Sequence, residues 1–438
     1  ADIVEKIPSI ERTVIVNFSD QQETFTGDNV VSWDDFSDSS ATQIEFAERD
    51  FNDPLYIMFS SGTTGVPKCI VHGTGGTLLQ HLKEHGLHTD LDTEDNLFYF
   101  TTCGWMMWNW LVSGLAVGAT LTLFDGSPFA PEPEFLWDVA DEEGITVFGT
   151  SAKYLAALEK SGVKPRESHQ LEKLRSILTT GSVLPPESFD YVYRDIKKDL
   201  CLSSISGGTD IISCFALGCP ILPVYRGELQ CRGLGLAVNI YDDSGKPIRG
   251  EKGELVCEKS FPCMPVGFWG DDNGERYFNA YFARFDNTWA HGDFAELTEH
   301  NGVIIHGRSD AVLNPGGVRI GTAEIYRQVE KVDQVLESIA IGQQYDGDER
   351  VVLFVKLREG IELTDELKQT IAKTIRANAT PRHVPAVILQ VDDIPRTISG
   401  KIVELAVRNV VHGEPVKNTD ALANPEALEY FRDREELL

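Results

Sequence analysis

Positive charge is scarce in this sequence. Lys and Arg together number 39 against 68 Asp and Glu in 438 residues, which gives a formal net charge of −29 at pH 7. A chain of that sign repels phosphate backbones and anionic membrane surfaces unless a local basic patch compensates. We therefore expect neither a nucleic acid partner nor insertion into a membrane.

Paired cysteines are also missing. The eight cysteines include no C-x-x-C pair and follow no regular spacing. Because a chain of this length does not need disulfides to stabilise its core, we expect reduced thiols in a cytoplasmic or similar compartment. The alternative is a zinc site built from Cys214 and Cys219 or from Cys257 and Cys263, although neither pair has a matching second pair.

Clear signals for a leader or a membrane span are lacking as well. The first residues, Ala1–Lys6, show no basic region followed by an apolar run, so we expect no signal peptide. Since the chain begins with Ala, either a leader has been removed or the chain is part of a longer polypeptide. Residues 96–124 carry no charge and are long enough to span a bilayer. Glycines at 104, 114 and 118 interrupt them, which favours a buried strand, helix and strand over a transmembrane helix.

Three histidines form a candidate metal site. His81, His85 and His88 have the i, i+4, i+7 spacing that could place them on one helix face. Gly86 interrupts that helix, so a solvated helix surface is the favoured alternative to a metal site.

The order of apolar runs predicts an α/β fold. Residues 53–225 alternate short apolar runs with helix-like segments, which is typical of a parallel sheet covered by helices. Short strands between Gly, Asp and Asn turns over 227–305 predict an antiparallel, distorted β-barrel. We therefore expect a large N-terminal domain over 1–309, incomplete at its start, which combines mixed parallel sheets and helices with that barrel. A small, mobile α+β domain with an acidic tail should follow over 310–438.

Individual elements follow from the same patterns. Buried strands are predicted at 55–59, 97–100, 146–148 and 176–178, and helices at 135–142, 153–160 and 186–198. The small domain should contain helices at 322–331, 365–376 and 401–410, and strands at 338–341, 351–357 and 386–391.

The strongest local signal is the run 60–68, which lies between two strand-like segments. Its glycines let backbone N–H groups converge, and four hydroxyls and a terminal lysine accompany them, a combination suited to holding phosphates. It does not satisfy the Walker A pattern. From the residues alone, a mobile Ser/Gly hairpin explains the run equally well. The candidate phosphate-binding residues are Ser60, Ser61, Gly62, Thr63, Thr64, Gly65 and Lys68.

Segment 56–68 resembles the phosphate loop of the acyl-adenylate-forming enzymes, the superfamily of acyl-CoA synthetases, luciferases and peptide-synthetase adenylation domains. Five further segments resemble the signatures of that superfamily in the same order. They are Gly181-Ser182-Val183-Leu184, Gly207-Gly208-Thr209-Asp210, His291-Gly292-Asp293, Gly307-Arg308-Ser309-Asp310 and Ser399-Gly400-Lys401. Six ordered resemblances cover nearly the whole chain.

The resemblance implies a role for each matched residue. Gly181, Ser182 and Val183 would pack on adenine, and Asp293 and Arg308 would bind the ribose. Gly208 would belong to the nucleotide site, Thr209 would contact the α-phosphate and Asp210 would serve Mg²⁺. Asp310 would be the hinge, and Lys401 would be catalytic together with Thr209 and Asp210. Asp210 stands where the superfamily has Glu and is one methylene shorter, which Mg²⁺ tolerates because waters complete its octahedron. Considered alone, Asp293 fits a surface turn and Lys401 an ordinary helix start.

Residues 314–325 resemble the acetyl-CoA synthetase branch, which implies that Arg319 contacts the nucleotide phosphates and that Gly316 and Gly317 lie near CoA. Gly207 stands where acetate-using members carry a Trp, so the resemblance implies a larger acyl pocket that Gly207, Trp105 and Trp108 would line. A backbone that simply needs a positive φ is the alternative explanation for Gly207.

The resemblance as a whole implies an ATP-dependent acid:CoA ligase for acetoacetate, with ATP, Mg²⁺ and CoA as cofactors and co-substrates. Its partners would be small-molecule substrates, and no obligate protein partner is inferred. A ligase for another short acid such as acetate or propionate, or an inactive nucleotide-binding fragment, are the alternatives.

Overall fold

A computed structural model describes residues 2–17, 27, 29–60, 68–346, 348–397, 400–416 and 419–437. The chain divides into two compact units, Ala1–Arg49 and Asp50–Leu438. In the first unit, helix α1 (Asp2–Lys6) precedes the parallel strands β1 (Thr13–Ile15) and β2 (Val30–Ser32), and helix α2 (Trp33–Phe36) follows. The Ser32 hydroxyl starts α2 because it accepts a hydrogen bond from the Asp35 N–H at 3.1 Å.

The second unit contains the remaining strands and helices. Its described strands are β3 (Pro54–Ser60), β4 (Lys68–Gly73), β5 (Asn96–Tyr99), β6 (Thr120–Thr122), β7 (Val147–Ser151), β8 (Ser176–Thr180), β9 (Cys201–Ser204), β10 (Ser206–Gly208), β11 (Ser213–Leu217), β12 (Cys231–Arg232), β13 (Val238–Tyr241), β14 (Lys252–Cys257), β15 (Gly267–Phe268), β16 (Trp289–Leu297), β17 (Val303–Arg308), β18 (Val335–Tyr345), β19 (Asp348–Leu357) and β20 (Val387–Gln390). Its described α-helices are α3 (Thr74–Lys83), α4 (Met106–Val112), α5 (Phe135–Glu142), α6 (Ala152–Lys160), α7 (Pro165–Ser168), α8 (Pro186–Tyr191), α9 (Glu275–Tyr281), α10 (Thr322–Val329), α11 (Asp365–Asn378) and α12 (Glu404–Val411).

The predicted α/β fold is confirmed by a parallel sheet in the order β6-β5-β7-β8-β9. Helix α5 covers it because Leu136, Trp137 and Ala140 fall on one face of the helix and are buried. The Trp137 ring stacks on Phe148 of β7 with centroids 4.7 Å apart. The uncharged stretch from β5 to β6 contains α4, as the strand, helix and strand prediction requires. Among the described residues, no helix is long and apolar enough to cross a membrane.

The antiparallel region is also present, with two differences from the prediction. The segment predicted as the first strand of the parallel sheet, β3, instead pairs antiparallel with β4 in the sheet β15-β4-β3. Four of the strands in the predicted barrel region form the sheet β13-β14-β16-β17, whereas β12 pairs with β11 and β15 with β4. In the part of the chain that the structure describes, this order is open and does not close into a barrel.

The C-terminal region contains the predicted α+β set. Strands β18 and β19 are antiparallel, and β20 adds to β19 in parallel. The predicted helix over 401–410 is wrong at its start, because α12 begins at Glu404 and leaves Lys401 in the preceding loop. The division at Asp310 into a large and a small domain stays a prediction.

The histidine segment is buried, so the expected solvated surface is wrong. His81 and His85 are 0% exposed and His88 is 5% exposed. Each ring bonds a main-chain carbonyl: His81 that of Ile212 at 2.6 Å, His85 that of Trp110 at 2.9 Å and His88 that of Gly218 at 2.8 Å. No cluster of metal-ligating side chains occurs among the described residues.

Buried neutral histidines make the stability of the fold depend on pH. Burial lowers the pKa of His85 from 6.5 to about 3, although its bond to the Trp110 carbonyl opposes the shift. The unfolded chain therefore takes up a proton at this position below pH 6.5, before the folded chain does, and acid destabilises the fold. Between pH 7 and pH 5, His85 should account for about 2 kcal/mol of lost stability. His85→Gln keeps a donor for the Trp110 carbonyl but does not titrate, so denaturant unfolding at both pH values should show a smaller loss. An unchanged loss in the variant would contradict this assignment.

Candidate active site

A partly buried carboxylate with two donors marks the centre of the site. Lys68, the first residue of β4, donates to Asp210 Oδ1 from Nζ at 2.7 Å, and the Tyr281 hydroxyl donates to the same oxygen at 2.6 Å. Lys68 Nζ also lies 4.9 Å from the centre of the Tyr281 ring. The structure thus brings the last residue of the phosphate-loop signature to the residue predicted to serve Mg²⁺.

The β10–β11 hairpin carries Thr209 and Asp210 in its turn. Gly207 in β10 pairs with Cys214 and Gly208 with Ser213. A Cβ at Gly207 would lie 2.0 Å from the Ser213 carbonyl oxygen, whereas its φ is not in the left-handed range. Close approach of the two strands therefore explains this glycine, and a need for positive φ does not.

Buried side chains behind the hairpin hold its turn. His72 Nε2 lies 2.9 Å from the Thr209 carbonyl oxygen and must carry the proton, because a carbonyl only accepts. Burial lowers the pKa of His72 to about 4, so the ring is neutral near pH 7. Ile212 has a φ of 47°, which is unusual for a β-branched residue. Its carbonyl accepts a hydrogen bond from His81. The position of Thr209 and Asp210 is thus determined by fixed partners.

The ribose-binding candidates meet at the end of β17, where Arg308 pairs with Asp293 of β16. Arg308 donates from Nη1 to Asp293 Oδ1 at 3.0 Å and to the His291 carbonyl at 3.2 Å. Gly292, between the two, has a φ of 82°, and a Cβ there would lie 2.5 Å from the Arg308 guanidinium. Only glycine permits this close approach, which sets Arg308 beside Asp293. His291 is buried and its Nδ1 has no partner among the described residues.

Lys401 reaches this cluster from the C-terminal region. The Lys153 ammonium on α6 donates to the Gly400 carbonyl at 3.2 Å and lies 3.6 Å from Glu337. Loss of solvation lowers the pKa of the Lys401 ammonium although the residue as a whole is exposed, and the charge of Asp210 opposes that shift. The charge of Lys401 therefore acts on the same site as the Asp210 carboxylate.

The charges of the cluster are fixed by their neighbours. Burial alone would raise the pKa of Asp210, but the charge of Lys68 and the bonds from Lys68 and Tyr281 hold that pKa well below its usual range. Burial likewise opposes the charge on Arg308, yet Asp293 and Asp310 raise the pKa of its guanidinium. Burial raises the pKa of Tyr281 strongly, so its hydroxyl stays protonated and donates. Asp210 is therefore an anion and Arg308 a cation.

The adenine-loop candidates lie against an aromatic cluster. A Cβ at Gly181, whose φ is 89°, would lie 3.7 Å from the Trp105 ring. Ser182 is exposed, while Val183, Trp105 and Trp108 are partly buried against the main hydrophobic core. The sequence signatures for adenine and for the acyl pocket are therefore adjacent at Gly181 and Trp105.

The phosphate-loop residues are only partly described. Ser60 ends β3 opposite Lys68, and its buried hydroxyl has no hydrogen-bond partner in the described part of the chain. Ser61, Gly62, Thr63, Thr64 and Gly65 lie outside the described residues.

The structure does not bring every predicted residue to the centre. Arg319 donates to Asp243 at 2.8 Å and lies over the Phe294 ring at 4.8 Å. Gly316 donates its N–H to Asp348 Oδ2 at 3.0 Å, and Gly317 ends the same 3₁₀ turn. Asp310 lies in the 3₁₀ turn Ser309–Ala311 and is 3.6 Å from the Arg308 Nε. Among the contacts of the described residues, none joins Arg319 or Gly316 to Asp210.

The residues fit a magnesium ion. Both described hydrogen bonds of Asp210 end on Oδ1, so Oδ2 of an ionised carboxylate is left for another ligand. Mg²⁺ takes one or two protein carboxylates, with phosphate oxygens and waters completing its octahedron. The neighbouring cations Lys68 and Arg308 suit the phosphates that would accompany the metal.

Sequence reasoning missed Tyr281 and His72. Tyr281 is the last residue of α9, in a segment that matches none of the six signatures. Its link to Asp210 spans 71 residues and appears only in the folded chain. The paired aromatics Tyr281-Phe282, twelve and eleven residues before Asp293, were the only local signal.

The family follows from the site and from comparison with known proteins. Residues 2–264 match the AMP-binding enzyme family, and residues 324–401 match the AMP-binding enzyme C-terminal domain. The chain belongs to the AMP-binding enzyme family, as the six ordered signatures predicted.

Its relatives narrow the comparison. An acetoacetyl-coenzyme A synthetase of Rhizobium meliloti (strain 1021) is 64% identical over 397 residues, which are 91% of this chain and 61% of that protein. An acetoacetyl-CoA synthetase of Mus musculus is 49% identical over 444 residues, 99% of this chain and 66% of that protein. The solved acetoacetyl-CoA synthetase from Streptomyces lividans superposes with a TM-score of 0.92 at 40% identity, over 99% of this chain and 66% of that one. The chain thus spans less than two thirds of the length of the first of these relatives.

Proposed function

We propose that the chain carries the catalytic site of an AMP-forming acid:CoA ligase for acetoacetate. The observation that carries the proposal is the meeting of Lys68, Asp210, Asp293, Arg308 and Lys401 at one place in a member of the AMP-binding enzyme family. Anionic and cationic groups alternate there, as a site for a nucleoside triphosphate with a metal ion requires.

The reaction has two steps. A carboxylate oxygen of the acid attacks the α-phosphorus of ATP, so that a C–O–P linkage forms, the bond to the bridging oxygen breaks and pyrophosphate leaves. The CoA thiolate then attacks the acyl carbon, a C–S bond forms and AMP leaves. Mg²⁺, when bound, supplies charge neutralisation at the phosphates.

The chain's own residues bind and orient the substrates. Asp293 accepts hydrogen bonds from the ribose hydroxyls, and Arg308 holds that carboxylate in place. The Thr209 hydroxyl contacts the α-phosphate from a turn whose carbonyl His72 fixes. Lys401 places its ammonium where negative charge grows on the carboxylate and the α-phosphate in the transition state. Arg319, Gly316 and Gly317 would act on phosphates and CoA after leaving their present partners.

The acid specificity rests on the relatives and on the pocket. Proteins named acetoacetyl-CoA synthetases share 64% and 49% identity with this chain. Trp105 and Trp108, which pack against the main hydrophobic core, would line the acyl pocket, whereas a side chain at Gly207 would point at the Ser213 main chain. We place the reaction in the cytoplasm, with small-molecule substrates and no obligate protein partner.

The hinge proposal leads to a testable asymmetry. Asp310 lies in a short 3₁₀ turn between β17 and the C-terminal region. Asp310→Pro fixes φ at this position, so the small domain should stay in one orientation and one half-reaction should fall much more than the other. Adenylate formation and thioester formation from supplied acyl-adenylate, measured separately, check this. Full turnover in the variant would show that the hinge lies elsewhere.

Pyrophosphate release with a panel of short acids tests the proposed function. The panel contains acetoacetate, acetate, propionate and a blank without acid, each with ATP and Mg²⁺. The fastest release should occur with acetoacetate. Faster release with acetate or propionate would assign another substrate, and no acid-dependent release with any member of the panel would leave only nucleotide binding.

A further inference from the structure

Tyr281 is held rigidly beside the site. Its ring stacks on Trp289 of β16 with centroids 3.7 Å apart and planes at 12°, and the residue is 2% exposed. Phe268 and Tyr277 pack edge-on against it at 5.8 Å and 5.4 Å. A tyrosine enclosed in this way has one place for its hydroxyl, 2.6 Å from Asp210 Oδ1.

The second donor to Asp210 is less constrained. The Lys68 side chain is 33% exposed, and Lys68 is the last residue of the run 60–68. The Lys68 ammonium is also the cation that phosphate oxygens would attract. When a nucleotide binds, Lys68 can turn from Asp210 to the phosphates, whereas Tyr281 cannot leave.

The other carboxylate oxygen, Oδ2, accepts no hydrogen bond from the described residues, because both described bonds of Asp210 end on Oδ1. The Asp210 side chain is 20% exposed, so the carboxylate is still accessible to a ligand. The ring of His291 and the main chain of Gly208 border the space beside Oδ2. The oxygen that Tyr281 holds and the oxygen that faces the ligand are therefore different atoms of one carboxylate.

We propose that Tyr281 is a positioning residue: its hydroxyl holds Asp210 Oδ1 so that Oδ2 is directed at the metal ion of bound Mg·ATP, and it keeps this hold after Lys68 moves to the phosphates. The inference rests on the proposed function for the identity of the ligand. It assigns to α9 a part in metal recognition that none of the six signatures contains.

The chain offers a matched pair of variants. Tyr281→Phe removes only the hydroxyl and keeps the stack on Trp289. Tyr277→Phe, one helical turn earlier in α9, removes a buried hydroxyl that has no hydrogen-bond partner among the described residues. Any general effect of losing a phenol from this helix should appear in both variants.

Nucleotide binding by calorimetry, without acid or CoA, tests the proposal independently of turnover. Wild type and Tyr277→Phe should bind ATP more tightly with Mg²⁺ than without it. In Tyr281→Phe, the increase in ATP affinity that Mg²⁺ causes should be roughly tenfold smaller, which is the size of one hydrogen bond to a charged acceptor. The affinity of this variant for metal-free ATP should be unchanged. The Mg²⁺ concentration for half-maximal pyrophosphate release should rise in parallel.

Three results would overturn the proposal. The first is a Mg²⁺-dependent increase in ATP affinity that is unchanged in Tyr281→Phe. The second is an equal reduction of that increase in Tyr277→Phe. The third is an ATP affinity of the wild type that Mg²⁺ does not affect. If the wild type binds Mg·ATP but releases no pyrophosphate with any acid, the proposed function fails while the binding comparison still judges Tyr281.

Discussion

Replacing Lys401 with alanine should slow adenylate formation by about 100-fold or more. The Lys401 ammonium interacts electrostatically with Asp210 and Asp293, and it is a cation that the C-terminal region contributes to the cluster. A preorganised charge directed at a developing anion commonly contributes this much to a rate. The second half-reaction, thioester formation from supplied acyl-adenylate, should continue because no phosphate bond breaks in it.

The matched control for this variant is Lys373→Ala, which removes an exposed lysine from α11 in the same region. It should leave both half-reactions at the wild-type rate. An equal loss of both half-reactions in Lys401→Ala would reject the catalytic role and indicate a structural one.

Replacing Gly207 with alanine should destabilise the fold by about 3 kcal/mol, the upper end of what overpacking usually costs. The added Cβ would overlap the Ser213 carbonyl oxygen at 2.0 Å and the Cys214 Cα at 2.6 Å, and both are main-chain atoms that cannot rotate away. Strands β10 and β11 would have to separate, and the turn that carries Thr209 and Asp210 would move with them. Activity should therefore fall together with the free energy of unfolding.

Gly267→Ala is the matched control, because this strand glycine has nothing within 4 Å of its Cβ position. Denaturant unfolding of both variants should separate the cost of the clash between β10 and β11 from the general effect of replacing glycine with alanine in a strand. Equal stability of the two would show that β11 accommodates a side chain at 207.

The shift from acetoacetate toward acetate that the family resemblance predicts for Gly207→Trp could then be measured as a change in the ratio of kcat/KM for the two acids of about 10 to 1,000.

Patterns local in sequence predicted the parallel part of the fold well. Helix α5 begins and ends where its periodicity places it, because Leu136, Trp137 and Ala140 form one apolar face. The pattern is less informative where partners are distant. Strand β3 is apolar like a parallel strand, but it pairs antiparallel with β4, the next strand in the chain.

The site shows the same limit. Asp210, Asp293 and Arg308 were predicted because each lies in a segment that resembles a signature of the superfamily. Tyr281 and His72 were not found, because each acts through one hydrogen bond to a residue 71 or 137 positions away. The burial of His81 and His85 was also missed, since the carbonyls that satisfy their rings belong to other elements.

Detection of the acyl-adenylate tests the central claim most directly. The chain is mixed with ATP, Mg²⁺ and acetoacetate without CoA, quenched, and analysed by mass spectrometry, and a second portion receives CoA before the quench. The first portion should contain acetoacetyl-adenylate and pyrophosphate in equal amounts. In the second portion, acetoacetyl-CoA and AMP should replace the adenylate while the pyrophosphate remains. Absence of the adenylate in a sample that binds Mg·ATP, or its formation from acetate in preference to acetoacetate, would contradict the claim.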